Sequence, residues 1–326
     1  MRIILYMVAL FVAVPSLGWT AEIIKSVHGF SDVNFEVIEG PGSDSRFRLG
    51  EYDTYVTGTL DERTSYLSEV TFKYANSNTG VLGLERFWVR YEFNPQVNVS
   101  FGKFHSAVGS WNRTYHHGSL LFPSIDKPAT RSYFPIHTTG MLVSGREITS
   151  AHLYYDLMIG NGIGSTPTSD NDDGKSLNLS VHAEAIEDVD LGFSLYKENV
   201  AAGASEGFSL LILSPSINLR RGSSMLEAEF LMAKTEGDDS KIDNTTKAAY
   251  VLAAKDVGDW TPFVKFDYSK VDASDVYYNV ADSKLYSAGV NYHLSHLAVT
   301  KLQFRHTSKA GGSSSKALLS QIAIAF

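Results

Sequence analysis

The sequence contains no cysteine, so no disulfide can stabilise the fold, and stability must come from the packing and closure of the chain itself. Beyond the N-terminal segment it also lacks any run of about 18 consecutive apolar residues, which excludes a membrane-spanning helix there. Positive charge is in deficit: the formal net charge is -8, which argues against a nucleic-acid partner. With 44% hydrophobic residues, the composition suits one large folded domain.

The first 21 residues have the three parts of a secretory signal peptide. Arg2 supplies positive charge, residues 3–14 are mostly apolar, and Gly18 and Ala21 are candidate cleavage positions. The alternative, a membrane anchor, is disfavoured because the apolar run is shorter than the roughly 20 residues that cross a bilayer as a helix. The sequence therefore predicts a signal peptide at residues 1–21 and an exported domain at residues 22–326.

The last segment of the chain alternates between two faces. Leu318, Ile322, Ile324 and Phe326 share one face of an extended strand. This resembles the terminal strand of bacterial outer-membrane proteins, and the resemblance implies that these four residues form the signal read by the barrel assembly machinery. An edge strand of a soluble protein could alternate too, but the signal peptide, 17 tyrosines and 18 phenylalanines favour a membrane strand.

Alternating segments fill the middle of the chain and are separated in turn by short turns and longer polar loops. Residues 93–96 and 220–223 are examples of the short kind, and residues 272–283 of the long kind. In hydrocarbon every backbone polar group must be paired within the protein, so a chain without apolar helices can cross a membrane only as a closed barrel. The pattern predicts an all-β fold, a transmembrane antiparallel β-barrel of about sixteen strands.

Several segments carry charged residues on the face opposite the apolar one. In residues 87–93, for example, Arg90 and Glu92 alternate with apolar side chains. Because an Arg at the lipid-facing midplane costs about 2–4 kcal/mol, the charged face is expected to line the lumen. The charges predicted to face the lumen in this way are Glu69, Lys73, Arg90, Glu92, Asp156, Glu227, Glu229, Lys265, Asp267 and Arg305.

Residues 106–135 form the third predicted external loop, which is far longer than an ordinary connection. Its many apolar residues, Trp111 and Phe122 among them, indicate that it packs and is not disordered. In trimeric porins the third loop folds into the barrel and forms the constriction, so the position of this loop resembles that family. The resemblance implies a long third loop folded into the lumen and a homotrimer.

A second resemblance is carried by residues 102–104 followed by Gly109, Trp111, His116 and Pro128. This run loosely resembles porins related to the phosphate-selective porins. It departs from the phosphate-selective members because the loop is not dense in lysine. The resemblance therefore implies a porin without implying selectivity for phosphate.

The charges in and beside the long loop are mostly basic. The residues predicted to line the constriction and contact solute are Lys103, Arg113, His116, His117, Asp126, Lys127 and Arg131. Fixed charges in a narrow pore decide which ion enters, so a weak anion preference is expected, strengthening as the histidines protonate below about pH 6.5. The alternative, that these charges are solvated or paired with lumen carboxylates such as Glu92 or Asp156, is left open.

The adjacent pair His116 and His117 raises the question of a metal site. Zinc needs three or four convergent ligands, and no further histidine or carboxylate recurs at a spacing typical of zinc, so neither a metal nor another cofactor is predicted. An enzyme is also disfavoured. His116 with Ser119, or His306 with Ser308, lacks the third group of a catalytic triad.

Two acidic clusters, at residues 169–174 and 238–239, admit two interpretations. They could hold divalent cations shared with lipopolysaccharide phosphates, but solvated turns are the favoured interpretation.

The sequence as a whole predicts an outer-membrane porin, a passive diffusion channel for small hydrophilic solutes. Its expected partners are outer-membrane lipid, lipopolysaccharide, the barrel assembly machinery and the permeating solutes or ions. Two alternatives from other classes are an outer-membrane hydrolase and a plugged barrel with a structural or adhesive role.

Overall fold

The fold was analysed in a computed structural model that describes residues 24–39, 44–74, 80–116, 120–163, 174–201, 207–312 and 314–326. The predicted signal peptide lies outside these residues, as do His117, Ser119 and most of the acidic cluster at 169–174. The side chain of Lys73 also lies outside the part of the chain that the structure describes.

Within those ranges, sixteen antiparallel strands close into one barrel. Each strand pairs with its neighbours in the chain, and β1 pairs with β16 to complete the ring. This confirms the predicted fold class. The strands are β1 (Ser26–Glu39), β2 (Asp44–Thr59), β3 (Thr64–Tyr74), β4 (Gly80–Asn94), β5 (Val97–His105), β6 (His137–Gly145), β7 (Leu153–Gly160), β8 (Ser176–Ile186), β9 (Val189–Val200), β10 (Phe208–Arg221), β11 (Ser224–Gly237), β12 (Asp243–Lys255), β13 (Trp260–Lys270), β14 (Ser283–Ser295), β15 (Ala298–Lys309) and β16 (Ser314–Ala325).

Short and long connections alternate around the ring, as the sequence predicts. Only Gly222 and Ser223 join β10 to β11, and Gly222 has φ 57°, a left-handed conformation that glycine adopts without steric cost. The longest connection, residues 106–136 between β5 and β6, is called L3 below. It contains a short helix, α1 (Ser110–Tyr115), and a 3₁₀ helix (Ala129–Tyr133).

Alternation along the strands separates an exposed apolar face from a buried face. In β11, Glu227 and Glu229 are buried, whereas Leu226 and Phe230 are exposed. The exposed large apolar side chains of β16 are Leu318, Ile322 and Ile324, and Phe326, directly after the strand, is exposed too. Since exposed apolar area costs about 25 cal/mol per Å² in water, an outer surface of this composition suits contact with hydrocarbon. Among the described residues, no helix is long and apolar enough to cross a membrane.

The buried apolar residues form clusters in which L3 packs against the buried faces of the strands. One cluster joins Val108 and Phe134 of L3 to Leu210, Ile212 and Leu231. A second joins Trp111, Tyr115 and Phe122 to Tyr250, Leu252 and Phe263. L3 therefore packs on the side of the barrel formed by β9 to β13.

Candidate functional site

The first turn of helix α1 is held by a carboxylate of β11. The backbone N–H groups of Ser110 and Trp111 donate to Oε2 of Glu229 at 2.7 and 3.3 Å. These groups have no partner within the helix, so Glu229 supplies one to both. Gly109 precedes the helix with φ 76°, and a Cβ at this position would lie 3.0 Å from Oε1 of Glu229. Glycine thus permits both the backbone conformation and the close approach.

The other end of α1 is held by the next inward carboxylate on the same strand. The Tyr115 hydroxyl donates to Oε1 of Glu227 and accepts a hydrogen bond from Arg220. Burial, followed by the neighbouring Glu227 charge, raises the pKa of the Tyr115 phenol, so it remains a neutral donor. Glu227 and Glu229, two positions apart on one face of β11, therefore fix the two ends of the helix.

The central part of L3 is held by two buried lysines. Lys301 Nζ donates to the Phe122 carbonyl at 2.7 Å, and Lys265 Nζ donates to the Asp126 carbonyl at 2.8 Å. Lys265 also lies 3.0 Å from Oδ2 of Asp267. A buried ammonium needs such partners because its desolvation is costly. The lysines thus satisfy their own charge while fixing the loop backbone.

Asp126 of L3 adds side-chain contacts to the same wall. Its Oδ1 lies 2.7 Å from Nη1 of Arg305, and its Oδ2 accepts a hydrogen bond from Gln303. The Gln303 carbonyl oxygen accepts from the Ile125 N–H at 2.8 Å. Arg305 and Gln303 of β15 therefore bind L3 through both backbone and side chain.

Arg113 of α1 and Asp156 of β7, two of the charges singled out in the sequence, lie near each other. The Arg113 guanidinium lies 3.9 Å from Asp190 and 3.5 Å from the Ser180 hydroxyl. Burial lowers the pKa of Arg113, while the Asp156 and Asp190 carboxylates raise it. Wall carboxylates therefore balance the charge of Arg113.

Lys127 and Arg131 lie nearer to β2. Lys127 Nζ is 3.6 Å from Oε1 of Glu51, and the Arg131 guanidinium lies 5.8 Å from the centre of a Trp111 ring. Burial lowers the pKa of Arg131, and the charges of Glu51 and Glu85 raise it. Both cations thus lie close to carboxylates.

Three other residues that were predicted from the sequence to line the lumen lie on β3 and β4. Glu69 is buried and lies 2.5 Å from Nε of Arg86, and Arg90 Nε lies 3.2 Å from the Ser100 hydroxyl. Glu92 is exposed at the end of β4.

Lys103 is the other cation assigned to the constriction from the sequence. Its Nζ donates to the Leu84 carbonyl at 2.5 Å. It also lines a cavity of about 280 Å³ near His137 and Tyr277. Lys103 therefore lies away from the centre of L3.

A cavity of about 320 Å³ lies between L3 and the strands β1, β2, β15 and β16. We call it the polar gap. Its charged lining residues are Asp32, Glu36, Arg48, Glu51, Asp126, Lys127 and Arg305. Opposite charges contact one another across it, as in Lys127 of L3 to Glu51 of β2 at 3.6 Å, and along its wall, as in Arg48 to Glu36 at 3.4 Å. The gap therefore carries both signs of charge, beside apolar residues such as Phe30 and Phe122.

Arg305 of the polar gap was predicted from the sequence to face the lumen, but the gap charges on β1 and β2 were not predicted. Asp32, Asn34 and Glu36 occupy every second position of β1 and therefore share one face of the strand. Arg48 lies in β2. The same alternation that identified charges in later strands applies to β1. It could have found these residues.

A second group of polar side chains meets where L3 leaves and rejoins the barrel. Ligand atoms of Glu85, His105, His116 and His137 all lie within 4.8 Å of one another. From the sequence no convergent ligands were expected for His116; that expectation is wrong, because Glu85, His105 and His137 reach it from three different strands. A signal was present: His105 ends β5 and His137 begins β6, and these residues are paired in the sheet.

The closed barrel of sixteen strands with a long connection between β5 and β6 defines a porin-like fold. OmpT, an outer-membrane protein of Vibrio cholerae solved in a trimer form, has a TM-score of 0.70 and 12% identity, over 92% of this chain and 98% of that chain. The anion-selective porin from Comamonas acidovorans has a TM-score of 0.68 and 13% identity, over 92% and 99%. Salmonella typhi OmpF in complex with daunomycin has a TM-score of 0.69 and 10% identity, over 92% and 97%.

No family model matches the chain, and no curated protein matches it. At identities of 10 to 13%, the likeness to solved porins concerns the fold. Solute preference must therefore be argued from the residues of this chain.

Proposed function

We propose that this protein is an outer-membrane porin, a passive diffusion channel for small hydrophilic solutes, with L3 inside the lumen as its constriction. The observation that carries the proposal is the polar gap between L3 and the wall formed by β1, β2, β15 and β16. Small polar solutes need a passage whose walls can replace part of their hydration, and charged and amide side chains provide this. Planar-bilayer recording tests the function: a porin gives stepwise openings, whereas a plugged barrel or a hydrolase gives none.

The attachments of L3 support its assignment as the constriction. Glu229 of β11, Lys265 of β13 and Lys301 of β15 all hold loop backbone with charged side chains from the buried face of the barrel. Hydrogen bonds to charged groups contribute about 1.5–3 kcal/mol each, so several of them fix a long loop firmly. A loop held this way narrows the pore without needing a solute to order it.

A weak anion preference remains part of the proposal. Lys127 and Arg48 supply positive charge to the polar gap, but Glu51 and Glu36 lie close to them, so any preference is small. His116 also lines the gap, but its Nε2 lies 3.2 Å from Oε1 of Glu85, so the carboxylate offsets any charge on the imidazole. The residues of the gap are therefore expected to influence selectivity more than the histidine does.

We favour a channel over a hydrolase for this barrel. Acyl transfer by a triad needs a base hydrogen-bonded to both a nucleophile and an orienting group. Within the described ranges, the buried Nδ1 of His306 has no hydrogen-bond partner, and such an atom does not orient an imidazole for catalysis. Assays with ester, lipid and peptide substrates on the folded barrel would reveal turnover if this assignment were mistaken.

We also propose residence in the outer membrane, export by residues 1–21 and assembly as a homotrimer. The apolar outer face of β16 supports recognition by the barrel assembly machinery, and the Vibrio cholerae neighbour was solved in a trimer form. Fractionation of cells that express the chain, followed by native mass spectrometry of the extracted barrel, tests location and stoichiometry. Recovery as a periplasmic monomer would contradict both.

A further inference from the structure

Glu85, His105, His116 and His137 converge from four separate parts of the fold. Glu85 belongs to β4, His105 and His137 to the paired ends of β5 and β6, and His116 to L3 directly after α1. Oε1 of Glu85 lies 3.2 Å from Nε2 of His116 and 3.0 Å from Nε2 of His137. The His105 and His116 rings have centroids 3.9 Å apart. Glu85 and His116 are buried, and the other two are partly buried.

The surroundings of His116 determine which of its nitrogens faces the carboxylate as an acceptor. Nδ2 of Asn112 donates to the carbonyls of Ser106 and Ile136 at 2.9 and 3.2 Å, which fixes the orientation of the amide. Oδ1 of Asn112 therefore faces Nδ1 of His116 at 2.7 Å, and Nδ1 must carry the hydrogen. In the neutral ring, the Nε2 lone pair then points at a carboxylate oxygen. A cation between two such acceptors, a proton or a metal ion, is favourable, and the convergence of four ligand atoms within 4.8 Å suits a metal ion.

We propose that these four residues bind a divalent transition-metal ion, for which Zn²⁺ is the probe. Three imidazoles and one carboxylate form a set of nitrogen and oxygen donors that Zn²⁺ accepts in tetrahedral geometry, whereas Mg²⁺ and Ca²⁺ require mostly oxygen ligands. Asn112 acts as a positioning residue, because a ligating histidine commonly donates its other N–H to a carbonyl oxygen.

The site would fasten L3 to the wall at the point where α1 ends. The other attachments of L3 described above use β2, β8 to β13 and β15, and none of those strands supplies a ligand here. His116 lines the polar gap, and His137 lines the cavity beside Lys103 and Tyr277, so an ion can approach from either cavity. Metal binding would thus join the loop to β4, β5 and β6.

The first test is Zn²⁺ titration of the refolded full-length barrel in detergent, by calorimetry, with Co²⁺ absorption as a report on coordination geometry. One ion per chain is expected, with the visible spectrum of tetrahedral Co²⁺. Since loss of even an outer contact costs about 10–100-fold in affinity, Glu85→Gln, His105→Gln, His116→Gln and His137→Gln should each weaken Zn²⁺ binding at least tenfold. Zn²⁺ should also raise the unfolding temperature of the native barrel and not that of the variants.

The matched control is His182→Gln. His182 also faces a carboxylate, Asp190, at 3.2 Å, but it lies outside the four-residue cluster, so Zn²⁺ binding should stay unchanged. Heat-dependent migration on a gel verifies that each variant is folded. The proposal would be overturned if the native barrel did not bind Zn²⁺, or if the ligand variants bound it as tightly as the native barrel. It would also be overturned if His182→Gln lost as much Zn²⁺ affinity as the ligand variants. These readouts do not depend on conduction, so they stand apart from the test of the channel.

Discussion

Individual charged residues on the buried face of this barrel both line that face and hold the backbone of L3. Glu229 accepts from two helix N–H groups, and Lys301 donates to a loop carbonyl. Without such partners, a buried charge would cost several kcal/mol. The inner charges and the loop therefore stabilise each other.

We expect Gly109→Ala to loosen the start of α1. Alanine at this position would have to adopt a left-handed backbone conformation, and its Cβ would lie 3.0 Å from Oε1 of Glu229. Together these two effects should destabilise the start of the helix by about 1–3 kcal/mol. Limited proteolysis of L3 and the noise of the open channel should both increase.

Gly222→Ala is the control for Gly109→Ala. Gly222 also has positive φ, but a Cβ there would meet nothing within 4 Å, so only the backbone cost applies and L3 should be unaffected. Equal protease resistance of L3 in native protein and Gly109→Ala would show that the contact between Gly109 and Glu229 does not hold the loop.

The selectivity of the polar gap can be tested at Lys127. Removing this cation by Lys127→Gln should shift the reversal potential in a salt gradient toward cations. A unit charge about 8 Å from the ion path in water contributes about 0.5 kcal/mol, so the permeability ratio should change about twofold. The control is Lys309→Gln, at the exposed end of β15. A shift in the control and none in Lys127→Gln would place the selective charge elsewhere.

Alternation within one strand could be read from the sequence, but contacts between distant residues could not. Lys265 and Asp267 share a parity that is visible in the chain. That Lys301 donates to Phe122, 179 positions away, depends on the path of L3 through the molecule. Likewise, the four-residue cluster forms only because sheet register brings His105 beside His137.

At the level of the strands, each element separates a lipid-facing side from an inner side. In β13, Val264 is 58% exposed while Lys265 is buried, so neighbouring residues have opposite surroundings. A period of two is the signal that revealed strands, turns and strand number from the sequence. Helix α1 gave no comparable signal, because six residues are too few for a periodic pattern and its ends are fixed by β11.

We expect Val264→Arg to destabilise the barrel in a bilayer. A guanidinium on the lipid-facing side near the midplane costs about 2–4 kcal/mol. Lys270→Arg, at the end of the same strand, keeps its charge at the interface and should cost less than about 1 kcal/mol. Unfolding titrations in lipid vesicles measure both. Equal stability of the two variants would mean that the outer face of β13 is not in contact with hydrocarbon.

For the whole molecule, the closed sheet supplies a wall, and L3 packs against part of the buried face of that wall. Apolar packing and hydrogen bonds attach L3 to β9 through β13 and to β15, and the polar gap lies beside β1, β2, β15 and β16. The length and aromatic content of residues 106–135 were enough to predict from the sequence that this loop packs against the barrel. Which side of the barrel it occupies could not be predicted, because this depends on contacts such as Tyr115 to Glu227 that span 112 positions.

The central claim is that L3 narrows a permeable barrel, and single-channel conductance tests it most directly. Native protein should be compared with a variant in which a short Gly-Ser linker replaces residues 110–129, and with a control that trims residues 238–242 between β11 and β12. Heat-dependent gel migration verifies that each variant is folded. The conductance of the L3 variant should be severalfold higher than that of the native channel, and the conductance of the control should equal that of the native channel. Unchanged conductance after removal of L3, or no conductance in the native protein, would contradict the account.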